Sequence, residues 1–300
     1  MNDFFWETSM QIPGTPWSIC GYSKCAYRTG FYVNGLNILL DAGIQCFKKL
    51  DHIFITHTHS DHIAELPLTM IGNHNVMIHC PEKAIQCVEN YILALFDANC
   101  LNNPDENKSD GDKLNVDNKL ERKEKIKLNI VPVCSERTTR RIQANNQKLE
   151  LDTVCAGDSV DTVVYGFSVV KNKLNPMYDG MSGQKIKELK DTGVAVTIEI
   201  IEKKFCFVLD TSSIILEMSP FLLEYPVVII ECTFLYDDEV VTATKKKHIH
   251  WQQLKPYVIM HPKTQFILTH FSQKYKNNDV KKFFDNVKEC ENIINVIPWL

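Results

Sequence analysis

The 300-residue chain contains no Cys-x-x-Cys pair, although it carries eleven cysteines scattered from Cys20 to Cys290. An odd, dispersed set of this kind excludes a pairwise disulfide framework and a zinc ribbon, and it suits a reducing compartment. There is no run of eighteen uncharged apolar residues, so no membrane-spanning helix is expected. The start, Met1-Asn2-Asp3-Phe4-Phe5-Trp6-Glu7, has neither the basic region nor the long apolar stretch of a secretory signal. These absences point to a cytoplasmic or nuclear protein that is not secreted and has no membrane partner. Bulk positive charge is missing too, because the formal net charge is −4. Nucleic-acid binding would then rest on local clusters: Arg137/Arg140/Arg141, Lys171/Lys173, Lys185/Lys187/Lys190 and Lys245-Lys246-Lys247. No internal repeat is visible in the sequence.

What is present is a 44% hydrophobic chain, enough for a sizeable core. Short β-branched runs bounded by Gly, Asn, Asp or Pro predict strands over 30–33, 36–40, 51–55, 76–79, 129–133, 148–155, 162–170, 194–201, 204–209, 227–230 and 265–269. Ile198–Ile201 and Phe205–Leu209, joined by Glu202-Lys203-Lys204, read as a hairpin. Helices are predicted over 63–70, 81–95, 183–189, 251–260 and 278–290, with Pro81 as a first-turn proline. Strands in both halves with helices between them predict a layered α/β protein with two sheets sandwiched between helices. Residues 102–127 are nearly all Asn, Asp, Glu, Lys and Ser and read as a disordered polar insertion. Strand-like segments continue on both sides of it, so residues 1–300 read as one domain.

The chemistry concentrates in His57-Thr58-His59-Ser60-Asp61-His62, directly after the apolar run Ile53-Phe54-Ile55. In an extended segment residues i and i+2 share a side, so His57 and His59 can hold one cation together. Asp61 and His62, where the chain turns towards a helix, can reach a second. Imidazole plus carboxylate is a zinc ligand set, and manganese or iron enters where oxygen donors are more numerous. Donors recur at strand ends downstream: Asp210 after Phe205–Leu209, Glu231 after Val227–Ile230, and His270 after Gln265–Thr269. Loops at strand ends on a rigid scaffold are where reactive groups usually sit.

His57 to His62 after an apolar strand resembles the signature of the metallo-β-lactamase superfamily. Leu40-Asp41-Ala42-Gly43 resembles its early Asp-containing loop. Leu209-Asp210-Thr211, Glu231-Cys232-Thr233-Phe234, the surroundings of His248, and Leu268-Thr269-His270-Phe271-Ser272-Gln273-Lys274-Tyr275 resemble ribonuclease Z, the tRNA 3′-end endonuclease, in its short form. The likeness runs from Gly30 to Tyr275 apart from the insertion. It implies a four-layer αββα sandwich of the metallo-β-lactamase type, a precursor-tRNA substrate, two Zn²⁺ ions (or Mn²⁺) and a homodimer. It also implies roles. His57, His59 and the residue at position 158 would hold the first metal, Asp61, His62 and His270 the second, and Asp210 would bridge. Asp61 would act as base, and His248, oriented by Glu231, as proton donor to the leaving oxygen. Lys245, Lys246 and Lys247 would neutralise phosphates, and Lys171 to Lys190 would form a short basic substitute for the family's tRNA-gripping arm.

The chain departs from the family at one place. Where the family has a metal-binding histidine, this sequence has Asp158, in Gly157-Asp158-Ser159-Val160-Asp161. That exchange lowers the nitrogen count and favours a harder metal, unless the residue is a turn position and water or a remote imidazole such as His79 completes the shell. Two other readings follow: a different hydrolase of the same fold, such as a cyclic-nucleotide phosphodiesterase or thioesterase, or a catalytically impaired ribonuclease Z relative. The lysine run beside His248 argues against the first of these. The intact hexapeptide with Asp210 and His270 argues against the second.

Overall fold

The computed structural model describes residues 4–73, 75–101, 128–134, 136–156 and 161–300. The polar segment 102–127 and Asp158 lie outside the described residues.

The described residues form two seven-stranded mixed sheets, each in chain order. The first holds β1 (Ser9–Gln11), β2 (Ser18–Lys24), β3 (Arg28–Asn34), β4 (Ile38–Leu40), β5 (His52–Phe54), β6 (Met77–Pro81) and β7 (Asn129–Val133). The second holds β8 (Thr138–Ala144), β9 (Gln147–Cys155), β10 (Val163–Leu174), β11 (Thr197–Val208), β12 (Val227–Glu231), β13 (Gln265–Thr269) and β14 (Val296–Pro298). In each sheet the first three pairings are antiparallel and the last three parallel. A repeat that is invisible in the residues is therefore plain in the topology.

The parallel strands explain their own composition. Strands β4, β5 and β12 are buried at every residue, so they read as unbroken apolar runs rather than alternating ones. Between the sheets Phe31, Phe54, Phe167, Phe205 and Phe207 interlock with Tyr165 and Trp17. Phe167 stacks on Phe205 at 4.7 Å, and Phe31 meets Phe207 edge-on at 5.8 Å. Each such ring contributes roughly 1.5–3 kcal/mol on burial. Outside, the helix Ile85–Leu101 lays Val88 and Ile92 on the first sheet. The helices Trp251–Met260 and Asn277–Glu291 lay Leu254, Val258, Val280, Phe284 and Val287 on the second. The result is the four-layer αββα sandwich expected from the sequence. Among the described residues no helix is long and apolar enough to cross a membrane.

Two local expectations fail, and one strand was not foreseen. The hairpin at Glu202-Lys203-Lys204 is instead the middle of the continuous strand β11. None of those residues favours the left-handed backbone that a tight hairpin turn needs. Glu202 also pairs with Lys171 and Lys173 on β10 and with Lys204 on its own strand. The true partner is β10, with a register shift at Phe167/Ser168. Together β10 and β11 form a ribbon whose distal half is largely exposed. Between the two strands lies the helix Gly183–Asp191, capped by Ser182. Pro81 ends β6 and precedes the 3₁₀ turn Glu82–Ala84, so the helix begins only at Ile85. Strand β8, hidden in the sequence by Arg140 and Arg141, is an alternating edge strand. Arg137 pairs with Asp152, and Arg141 with Glu150 and Glu199, so this cluster is largely committed within the protein.

Candidate metal centre

The parallel strands of both sheets deliver their C-terminal ends to one place. Strand β4 runs into Asp41 and β5 into Thr56–His62, while β11 runs into Asp210, β12 ends in Glu231 and β13 runs into His270. Asp41, Asp210 and His270 all take left-handed backbone conformations, with φ of 57°, 45° and 61°. Asp and His are among the non-glycine residues that tolerate this region. The chain thus turns sharply off each strand at the point where a donor is needed. Beneath the hexapeptide, a Cβ on Gly43 would fall 1.7 Å from the Asp61 carbonyl oxygen and 2.7 Å from that of Thr29. Only glycine lets these backbones approach. The contact is sealed by hydrogen bonds from Ala42 N to His62 O (2.7 Å) and from Glu65 N to Ala42 O (2.9 Å).

Six of the expected donors converge. One oxygen of Asp210, Oδ2, faces His57 Nε2 at 3.4 Å and His59 Nδ1 at 3.9 Å. The other, Oδ1, faces His62 Nε2 at 3.4 Å and His270 Nε2 at 3.1 Å. Asp61 Oδ2 lies 3.5 Å from His62 Nε2 and 3.8 Å from His270 Nε2. His59 stands at the rim with its side chain 55% exposed. Three overlapping groups could each hold a cation: His57/His62/Asp210, Asp61/His62/His270 and Asp210/His248/His270.

The imidazoles are anchored from behind. His57 Nδ1 lies 3.0 Å from Thr56 Oγ1, which donates to Asp41. His62 Nδ1 lies 2.8 Å from Asp41 Oδ2, and His270 Nδ1 lies 3.3 Å from Thr233 Oγ1, which donates to Glu231. Each ring thereby spends its Nδ1–H on the protein and turns Nε2 to the centre, the arrangement that metal-binding imidazoles adopt. The Nε2 atoms of His57, His62 and His270 and the Oδ1 of Asp210 are all buried without a hydrogen-bond partner. Buried polar atoms are normally satisfied, so four orphans aimed at one another fit a divalent cation held between them. The donor set, imidazole nitrogens and carboxylate oxygens, fits zinc or manganese chemistry.

Electrostatics follow the geometry. Burial and the neighbouring His62 lower the His57 pKa and favour its neutral form, lone pair inward. Burial opposes the charged form of His62, but Asp210 and Asp41 more than compensate and raise its pKa well above the ordinary value. The reverse holds for the carboxylates. Burial works against ionisation of Asp210, yet His270 and His62 hold its pKa well below normal. Asp61, against the same opposition, is brought down to about 2 by His270 and His62.

His248 enters from the loop after the helix Val240–Lys246, where Lys247 takes a left-handed cap with φ 57°. Its Nδ1 meets Glu231 Oε2 at 3.0 Å, and its ring lies 5.6 Å from that of His270. Burial disfavours the imidazolium, but Glu231, aided by Cys25 and Asp210, pushes the pKa up to about 11. Glu231 itself is fully buried and also accepts from Thr211 N and Ile249 N. Lys245 and Lys246 are exposed in the last helical turn beside this loop, and Lys247 is half-buried.

Two further histidines are not brought to the centre. His79 faces the inter-sheet core, stacked on Phe54 at 4.5 Å and bonded to His52 at 2.9 Å. His250 caps the helix Trp251–Met260, accepting from Gln252 N, with its Nε2 on Tyr236 O. The sequence reading missed what Asp41, Thr56 and Thr233 do. A signal was present in the first case: Leu40-Asp41 and Leu209-Asp210 both place a carboxylate straight after buried leucine.

No protein-family model matches the chain. Among curated proteins it is 28% identical over 300 residues to tRNase Z TRZ1 of Arabidopsis thaliana, spanning 97% of this chain and 94% of that one. It is 24% identical over 276 residues to the chloroplastic tRNase Z TRZ2 of the same plant, spanning 89% and 70%. The crystal structure of the short form of human tRNase Z superposes with a TM-score of 0.52 at 13% identity, covering 85% of this chain and 92% of that one. With its strand-end donors and paired mixed sheets, the chain is similar in sequence to tRNase Z over nearly its full length and has the αββα architecture of the metallo-β-lactamase fold.

Proposed function

We propose that the protein is a metal-dependent endoribonuclease that removes the 3′ trailer of precursor tRNA, working as one domain and as a homodimer. One observation carries the reading: four buried, unpartnered donor atoms face a common centre beside a histidine that Glu231 keeps cationic. His57, His59 and Asp158 would hold one Zn²⁺, and Asp61, His62 and His270 another. The division of Asp210, one oxygen towards each group, supports a bridging role. With an oxygen donor at position 158, Mn²⁺ is the alternative metal. The chemistry that such a pair supplies is polarisation of the phosphodiester and acidification of the attacking water.

The chain's own residues divide the rest. Asp61, ionised at every working pH, orients and accepts a proton from the attacking water, though with its pKa near 2 it is a weak base. His248, protonated at neutral pH, donates its proton to the departing 3′-oxygen, and Glu231 fixes both its orientation and its charge. Lys245 and Lys246 face solvent where flanking phosphates would pass. The β10–β11 ribbon, with Lys185, Lys187 and Lys190 on the helix between its strands, reaches out to grip the tRNA body.

The test is incubation of purified protein with a precursor tRNA bearing a 3′ trailer, with Zn²⁺, with Mn²⁺ and with a chelator. Endonucleolytic release of the trailer that needs a metal supports the reading. An uncut precursor from protein that carries its metal would sink it. Replacing Asp158 with His, and following metal content alongside rate, tests the ligand role at that position.

A further inference from the structure

We infer that Phe4, Phe5, Tyr22 and Tyr27 form a stacking subsite for unpaired nucleobases next to the scissile phosphate. The inference rests on the proposed reading of the centre as an RNA phosphodiesterase. Tyr27 belongs to the turn between β2 and β3, which lies at the lip of the centre: Cys25 Sγ is 4.0 Å from His248 Nε2. The turn is clamped from two sides. Cys25 N donates to Phe271 O at 3.2 Å, and Gln273 Nε2 donates to Cys25 O and Ala26 O at 3.0 and 3.1 Å. Arg28 donates to Gly43 O at 3.1 Å, in the loop that packs under Asp61. The turn is therefore held in place by the segment that carries His270 and by the loop packed beneath the hexapeptide.

On this rigid base the rings assemble. Phe5 and Tyr22 lie 5.3 Å apart at 67°, Tyr22 and Tyr27 6.1 Å apart at 82°, and Phe4 meets Tyr22 at 5.7 Å. This is not a core, since Phe4 is 56% and Tyr27 49% exposed. A contiguous exposed aromatic cluster marks an interaction site. Beside a phosphodiester-cleaving centre the matching occupant is a nucleobase, whose π face stacks on such rings whatever its identity. A base in a paired stem already has stacking partners on both sides, so the occupants are unpaired nucleotides that flank the cleaved bond.

The experiment measures fluorescence-anisotropy binding of a labelled single-stranded oligoribonucleotide, and of the same backbone with abasic sites, to the metal-loaded protein. The proteins compared are wild type, Phe4→Ala, Tyr27→Ala and Tyr27→Trp. Stacking on one ring corresponds to about 1–3 kcal/mol per base, so Tyr27→Ala should weaken oligonucleotide binding by ~5- to 150-fold. Phe4→Ala should weaken it less, Tyr27→Trp should restore it, and the abasic strand should bind wild type and variants alike. Metal content and circular dichroism of each variant should match wild type. Equal affinities of wild type and Tyr27→Ala would overturn the inference. So would a change in oligomeric mass by light scattering with RNA affinity intact, which would make the cluster a protein interface. A wild type that binds the oligonucleotide through Tyr27 yet leaves a precursor tRNA uncut would defeat the endonuclease reading alone.

Discussion

The two sheets share one topology yet spend their strand-end carboxylates differently. In both, the chain leaves the first parallel strand through an aspartate in left-handed conformation, Asp41 after β4 and Asp210 after β11. In both, a threonine stands two residues beyond the end of the next strand, Thr56 after β5 and Thr233 after β12. In the first half the aspartate turns away from the centre and supports Thr56 and His62. In the second half Asp210 faces the centre, and support passes to Glu231, which holds Thr233 and His248. One scaffold thus puts its strand-end carboxylates in two roles, facing the centre at Asp210 and standing behind the candidate donors at Asp41 and Glu231.

Breaking the donor carboxylate should have the largest effect. Asp210→Ala removes the carboxylate whose two oxygens face His57 and His59 on one side and His62 and His270 on the other. Trailer cleavage should fall below detection, and metal content by inductively coupled plasma mass spectrometry should drop at both positions. Retention of two metals per chain would show that Asp210 does not bridge.

Breaking the second half's support should separate proton donation from metal binding. His248→Ala should slow cleavage by ~10²–10⁴-fold, the usual worth of a positioned acid, with metal content unchanged. Glu231→Gln leaves a similar shape but removes the charge that outweighs the burial of His248. In wild type the imidazolium persists until pH rises through about 11, so activity should hold from neutral pH to pH 9. In Glu231→Gln only Cys25 and Asp210 still oppose the burial of His248, its pKa falls, and the alkaline limb should move down into that range. The same pairing stabilises the fold, fully below the ordinary histidine value of 6.5 and progressively less as pH rises towards about 11. An unmoved alkaline limb would remove Glu231 from the proton-donor arrangement.

Breaking the first half's support should act on metal instead. Asp41→Asn cannot accept from Thr56 and His62 as the carboxylate does, so both imidazoles lose their fixed tautomer. Metal affinity should fall ~10–100-fold, with most activity recovered at saturating metal. Competition titration with a chromophoric chelator reads this directly. Activity that stays low with metal saturated would place Asp41 in the chemistry rather than behind it.

Much of the site was legible because its donors sit where apolar strands end, and burial makes those strands conspicuous. The αββα layering followed for the same reason. What escaped is what depends on partners far away in the chain. Strand β8 was masked by arginines whose carboxylate partners lie on β9 and β11. The break read at Glu202-Lys203-Lys204 vanishes once Lys171 and Lys173 lie alongside. His79 and His250 carry the residue type of a ligand, and only the fold reveals that one is a core residue and the other a helix cap. Thr56 and Thr233 have no local signature, since their work is defined by a carboxylate behind and an imidazole in front.

Those two threonines give the finest contrast. Thr56 Oγ1 lies 3.0 Å from His57 Nδ1 and Thr233 Oγ1 3.3 Å from His270 Nδ1, and each hydroxyl donates onward to a buried carboxylate. Replacing either with Ala frees the ring in front of it and leaves a buried carboxylate short of a donor. Thr→Ser keeps the hydroxyl and removes only a methyl group. Metal affinity should therefore drop by ~10-fold, the lower end of the range for such supporting groups, in each Ala variant and much less in each Ser variant. The shorter contact predicts the larger loss for Thr56→Ala. Glu231 stands behind Thr233 and also holds His248, so Thr233→Ala should in addition shift the pH dependence of cleavage slightly, whereas Thr56→Ala should not. Identical pH profiles for the two Ala variants would mean that the halves are uncoupled at this level and that Glu231 serves His248 and His270 independently.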